Sequence, residues 1–270
     1  MAEAVKKPYV SRLRDQQARA TRSAIVDAAA QLFITRGYGG TTVDDIARAA
    51  GVSRKTVFTS VGGKPAALKL AIDWAIVGDD EAVPLLERPH VRAGMAEPDA
   101  RRVLTDFAHS VSEISARIAP LNAVAQAASG LDPEIRALVE DGQAQRLQGM
   151  RVLAQALAER GALRGELSTS EAADVLWLFN DPAVYQHLVF ERHWNEERYQ
   201  RWLTDALAAL LIARGYRPRL AGTGPIRPEV GEKTSSSRTA RVRQPPKRPR
   251  AQRGRSGAQN NGGHNDGDAT

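Results

Sequence analysis

Residues 41–64, TTVDDIARAAGVSRKTVFTSVGGK, read as a helix, a tight glycine turn and a second helix. Two helices joined in this way form the unit that lays a recognition helix in the DNA major groove. Thr42 is placed to N-cap the first helix, and Asp45 three residues on is placed to reach back as in a capping box. Asp44 and Asp45 also sit at the positive end of the helix dipole. Val43, Ile46, Ala47 and Ala50 recur at helical spacing, and the small alanines permit close approach of a crossing helix. Gly51 is the expected left-handed stop, Val52 fills the angle, and Ser53 is the expected cap of the second helix. In that helix Val57 turns inward, leaving Arg54, Lys55, Thr56, Thr59 and Ser60 as a donor-rich outer face of the kind that meets phosphates and base edges. No acidic residue lies between Arg54 and Lys64. A polar, basic helix face is more often merely solvated, so it is the common register of the whole window that supports a DNA-binding reading.

The preceding stretch, TRSAIVDAAAQLFITRGYGGTTV, sets Ile25, Ala28, Ala29 and Phe33 on one helical face, followed by Gly37 and Tyr38. With IARAAGVSRKTVF, Lys64 and Leu68, residues 19–70 resemble the DNA-binding head of the TetR family of bacterial regulators. The resemblance implies an all-α protein in which Thr42 and Lys64 reach phosphates, Phe58 packs on the sugar-phosphate backbone, and the outer face of the second helix meets DNA. There are departures: Lys55 stands where the family often has Gly, Phe58 replaces a Tyr whose hydroxyl usually contacts phosphate, and Val61 replaces a frequent Phe. The pair Gly62–Gly63 reads as a looser link to the next helix.

Composition agrees. The 270 residues contain no cysteine, so neither a disulfide framework nor a thiol nucleophile is available. The start, MAEAVKKPYV, lacks the apolar run of a signal peptide, and no stretch approaches the roughly 20 apolar residues of a membrane span; a cytoplasmic setting is expected. The net charge of +7 is divided as +7 over residues 1–70, −8 over 71–214 and +8 over 215–270. The basic ends therefore suit a polyanion better than the acidic middle does.

Four segments follow: a basic flexible arm over 1–18, the helix-turn-helix head over 19–64, a helical effector-binding and dimerisation body over 65–214, and a disordered basic tail over 215–270. In the body, helices are expected from Pro65 to about Val77, then over 99–117, 120–128, 133–160, 171–190 and 195–213, with residues 78–99 as a long loop. Pro120 and Pro133 mark starts, and Ser168 or Ser170 is a cap. The tail is rich in Pro, Gly, Ser, Arg and Lys and cannot bury a core. Its stretch RTARVRQPPKRPRAQRGR reads either as a solubilising tail or as a salt-sensitive DNA-binding appendage.

The last two helices are similar to the hairpin through which the family dimerises; Leu176, Phe179, Leu188, Trp202, Leu203 and Leu210 are the candidate interface residues, with intramolecular core as the competing reading. Trp74, Phe107, Met150 and Trp177 are candidates for lining an effector pocket, although each taken alone is more often ordinary core. No catalytic constellation, metal-ligand spacing or cofactor motif stands out. His187 and Glu191 are simplest as an intrahelical pair, while Asp181 and His187 do not share a face. The partners expected are an operator duplex bound by a homodimer and an unknown small molecule, with no membrane. Two other readings stay open: an architectural DNA binder without an effector, and, more remotely, a helical enzyme.

Overall fold

A computed structural model describes residues 9–81 and 83–218, with side chains from Arg14 onward. Of the expected basic tail only residues 215–218 are among them, and the start expected at 215 is corrected: Tyr216 packs against the helical body and donates to the Pro98 carbonyl at 3.3 Å, while residues 219–270 and residues 1–8 of the arm lie outside. The described chain is all-α: α1 (Tyr9–Arg36), α2 (Val43–Ala49), α3 (Arg54–Val61), α4 (Lys64–Val77), α5 (Pro89–Ala96), α6 (Ala100–Ser129), α7 (Pro133–Glu159), α8 (Thr169–Phe179), α9 (Pro182–Tyr185) and α10 (Glu196–Leu211). A single antiparallel bridge, Leu163 to Ile212, is the one β-type pairing among the described residues.

The caps explain the boundaries. The Thr42 hydroxyl accepts from the Asp45 amide, and the Asp45 carboxylate accepts from the Thr42 amide, both at 3.1 Å. Ser53 caps α3 through the Thr56 amide, and Ser168 forms a second capping box with Glu171. Gly51 takes φ +68°, as a helix stop requires. The Thr42 bonds, with Arg48 behind them, hold the Asp45 carboxyl below the usual range. A depressed native pKa means that this cap stabilises the fold at neutral pH, a contribution lost as pH falls through the lowered value.

Four further expectations are corrected. Helix α1 starts at Tyr9, so residues 9–18 are helical and not a flexible arm. Residues 78–99 contain a 3-10 turn (Leu85–Glu87) and α5 as well as loop, tied down by Arg88. This guanidinium grips both Asp79 carboxylate oxygens at 2.7 Å and bonds the Val83 carbonyl. Helix α6 runs unbroken through Pro120, which is interior and not a start. Conversely, 171–190 is not one helix: Asn180 and Asp181 interrupt it, Pro182 opens α9, and residues Gln186–Glu191 follow as a π-helical turn.

There are two cores. One joins Ile25, Phe33, Ile46, Val57 and Leu68 to Leu121 and Ala125 of α6 and Ile135 of α7. The other joins Val103, Leu104 and Val111 of α6 to Leu153 and Leu157 of α7, Leu176, Tyr185 and Leu203. Because α4 supplies Ala67, Leu68 and Ala71 to the first, the boundary expected after residue 64 passes through a core and not beside one.

Candidate nucleic-acid interface

Helix α3 is held from behind. Val57 is fully buried, which contributes about 1.5–3 kcal/mol. Arg22 of α1 donates to the Ser60 carbonyl at 3.0 Å, tying the end of α3 to the first helix. What remains outward is Arg54, Lys55, Phe58 and Thr59, with Thr56 and Ser60 half-buried. Lys55 enters no hydrogen bond or ion pair among the described residues, so its ammonium is uncommitted. The Thr56 hydroxyl lies 2.8 Å from the Ser53 hydroxyl, and the Thr59 hydroxyl donates to the Thr56 carbonyl at 3.1 Å. Phe58 is 46 % exposed, beneath the Arg54 guanidinium at 5.6 Å.

Two side chains are less free than the sequence suggests. The Thr42 hydroxyl donates to Asp45 at 2.6 Å, so a phosphate would compete with that carboxylate. Arg54 has an acidic partner after all, from α2: its guanidinium meets Asp44 at 2.8 Å. Both members are more than half exposed, so the pair adds little to stability. Asp44→Asn is therefore expected to leave the unfolding midpoint unchanged, tighten binding to random duplex, and steepen the salt dependence by about one phosphate contact. An unchanged salt slope in equilibrium titrations would show that Arg54 does not reach DNA.

Lys64 does not stand free at the protein surface. Its ammonium lies 3.9 Å over the Tyr38 ring. Burial lowers its pKa, and the field of Asp132 opposes this. The Tyr38 phenol is pushed up by burial first and then by Asp132. The sequence does not reveal this cluster because Asp132, in the α6–α7 turn, lies 68 residues beyond Lys64 and 94 beyond Tyr38.

The four effector candidates are not brought together. Trp74 packs against the head core, whereas Phe107, Met150 and Trp177 belong to the body core. A cavity of about 880 Å³ lies elsewhere, between head and body, and is lined by none of the four. Of the dimer candidates, Leu176 and Leu203 are fully buried within the chain and cannot meet a partner. Phe179, Leu188 and Trp202 are partly buried against the same core, and Leu210 is 43 % exposed. Leu178, in the same apolar stretch of α8, is 58 % exposed, because it lies on the face opposite Leu176. His187 and Glu191 form the expected pair at 3.0 Å, and Asp181 is taken up by Arg146.

Architecture and head together define a helix-turn-helix protein with a helical body. The family description "bacterial regulatory proteins, tetR family" matches residues 25–64. The HTH-type transcriptional regulator AlkX of Mycobacterium tuberculosis is 31 % identical over 129 residues, covering 37 % of this chain and 60 % of that one. The HTH-type transcriptional regulator SrpR of Pseudomonas putida is 44 % identical over 48 residues, covering 18 % and 22 %. The chain thus spans less than two thirds of the length of these relatives. Among solved structures, NalD of Pseudomonas aeruginosa, the secondary repressor of the MexAB-OprM efflux pump, aligns with a TM-score of 0.57 at 20 % identity, over 74 % of this chain and 100 % of that one. Residues 25–64 are thus a tetR-family DNA-binding head, and the described chain has the fold of the solved structures it resembles.

Proposed function

We propose that this protein is a transcriptional regulator, most simply a repressor, that binds a near-palindromic operator as a homodimer in the cytoplasm and is released by a small molecule. It binds and does not catalyse. The observation that carries the reading is the outer face of α3, where Lys55 is uncommitted and Phe58 is exposed while Val57 and the Arg22 bond fix the helix behind them. In this reading Lys55 and Thr59 read base edges, and Arg54, Thr56, Ser60, Thr42 and Lys64 serve the phosphates. Two copies would present their α3 helices about 34 Å apart, one turn of B-DNA. Leu178 and Leu210, with the exposed parts of Phe179, Leu188 and Trp202, are the apolar surface offered to the second copy.

The test is selection of bound fragments from random DNA by the full-length protein at physiological salt. A palindromic motif supports the dimeric regulator. Enrichment without a motif would replace it by the architectural reading. On the selected motif, Lys55→Ala is expected to cost about 1–3 kcal/mol more than on random duplex if the side chain reads a base. Equal losses on both would reduce Lys55 to a phosphate contact.

A further inference from the structure

Three large apolar side chains that the fold leaves in solvent gather at one place. Ile34 of α1, Leu131 of the α6–α7 turn and Phe190 of the π-helical turn are 42 %, 90 % and 42 % exposed, and all three line the cavity of about 880 Å³. That volume lies within the roughly 300–1,000 Å³ of small-molecule sites, and apolar side chains dominate such sites with a few placed polar groups. Exposed apolar surface concentrated in this way marks a surface awaiting an occupant. The polar groups of the wall are Lys64, Tyr38, Asp132 and Gln186, of which Lys64 alone is cationic. Its ammonium rests on Tyr38, and no hydrogen bond or ion pair among the described residues uses its N–H groups. Asp132, also in the wall, has one carboxylate oxygen accepting from the amides of Glu134 and Ile135, as the cap of α7.

We propose that this cavity binds an elongated apolar molecule ending in an anionic group, its chain against Ile34, Leu131 and Phe190 and its anion on the Lys64 ammonium. An ammonium already stripped of part of its water gains most from a charged acceptor. The site is made by both parts of the molecule. Tyr38 and Lys64 belong to the head, and Ala123, Ala127 and Asp132 belong to the body wall. An occupant therefore acts on the head directly. It also claims the side chain that the DNA-binding reading gives to a phosphate, so ligand and DNA compete for one charge, and each weakens the other by the same factor. This last step rests on the function proposed above; the cavity itself does not.

The test uses the full chain and three probes of equal length: decanoate, decanol and decylamine. Calorimetric titration without DNA is expected to show one decanoate per chain, bound more tightly than either other probe. Ala123→Trp and Ala127→Trp, each adding bulk at an exposed wall position, should weaken decanoate by about tenfold or more. Lys64→Met keeps the apolar stem and loses the charge; it should weaken decanoate by about ten- to hundredfold, to the level of decanol. The proposal is overturned if decanoate does not bind, if it binds both tryptophan variants as it binds the parent, or if decylamine binds equally well. Decanoate binding lost as protein concentration rises would assign the cavity to a second copy instead. On DNA fragments selected as above, decanoate should weaken binding by the parent and not by Ala127→Trp. Binding of decanoate by a protein that selects no motif would sink the regulator and leave the cavity; a motif without decanoate binding would do the reverse.

Discussion

Gly63→Ala is expected to destabilise the protein by about 1–3 kcal/mol. Gly63 has φ 109° and ψ −169°, a backbone region closed to residues with a Cβ. It is also buried, and a Cβ would come within 3.2 Å of the Phe58 ring. Backbone strain and contact act together, and Phe58 lies on the face of α3 proposed to meet DNA, so DNA affinity should fall along with stability. Gly142→Ala is the control: it sits inside α7 with open space around it, and should stabilise by about 0.5–1 kcal/mol through helix propensity. Urea unfolding of both variants reads the two signs. A Gly63→Ala protein as stable as its parent would mean that the α3–α4 link does not adopt this backbone.

Arg146→Met is expected to cost about 2–3 kcal/mol, below the 3–5 of a fully buried pair because its partner is partly solvated. The guanidinium donates to the Trp177 carbonyl at 2.6 Å and to the Asp181 carboxylate at 2.8 Å, and it lies 4.6 Å over the Trp177 ring. It thereby closes the open end of α8 at the place where the chain breaks before Pro182. Burial pulls the Arg146 pKa down and Asp181 opposes the shift, which leaves the group charged at any pH the fold survives. Methionine retains the apolar stem but leaves an unpaired carbonyl and carboxylate behind. Arg146→Lys should recover only part of the loss, since an ammonium cannot serve both acceptors and stack as the planar fork does. Thermal unfolding gives the ranking; a red shift of tryptophan emission in Arg146→Met is the local signature. If methionine and arginine unfold together, the break after α8 is held by something else.

What the sequence disclosed and what it concealed divide by range. Thr42 with Asp45, Gly51 and Ser53 could be read because a cap is a conversation between residues three apart. Pro133 and Pro120 look alike locally, yet one opens a helix and the other lies within one. Only the neighbours that pack on both sides of Pro120 keep α6 continuous. Leu176 and Leu203 were as apolar as any interface residue, and the choice between inside and outside depended on which side of α8 met α7 and which side of α10 met α6. Arginines carried the least legible information. Arg88, Arg117, Arg146 and Arg160 each bond carbonyls left open where a helix or loop ends. Arg22 does the same for α3. In sequence each resembles a solvated charge, because its acceptors lie on other elements. The Arg54–Asp44 pair escaped for the same reason, and so did the Lys64 cluster.

Pro120 has one further consequence. Helix α6 is thirty residues long, which makes it about 45 Å from end to end. Ala119 belongs to the body core and Leu121 to the head core, so the imino acid falls on the seam between them. At that residue the helix forgoes one of the hydrogen bonds that resist flexure. A beam clamped in two blocks and notched at the joint bends at the notch. The longer arm, from Ala100 to the notch, is about 30 Å, so a deflection of about 7° displaces its end by about 4 Å, comparable to the rise of one base pair. On the function proposed above, a small change in how the two cores meet would be measured out in steps of the duplex itself.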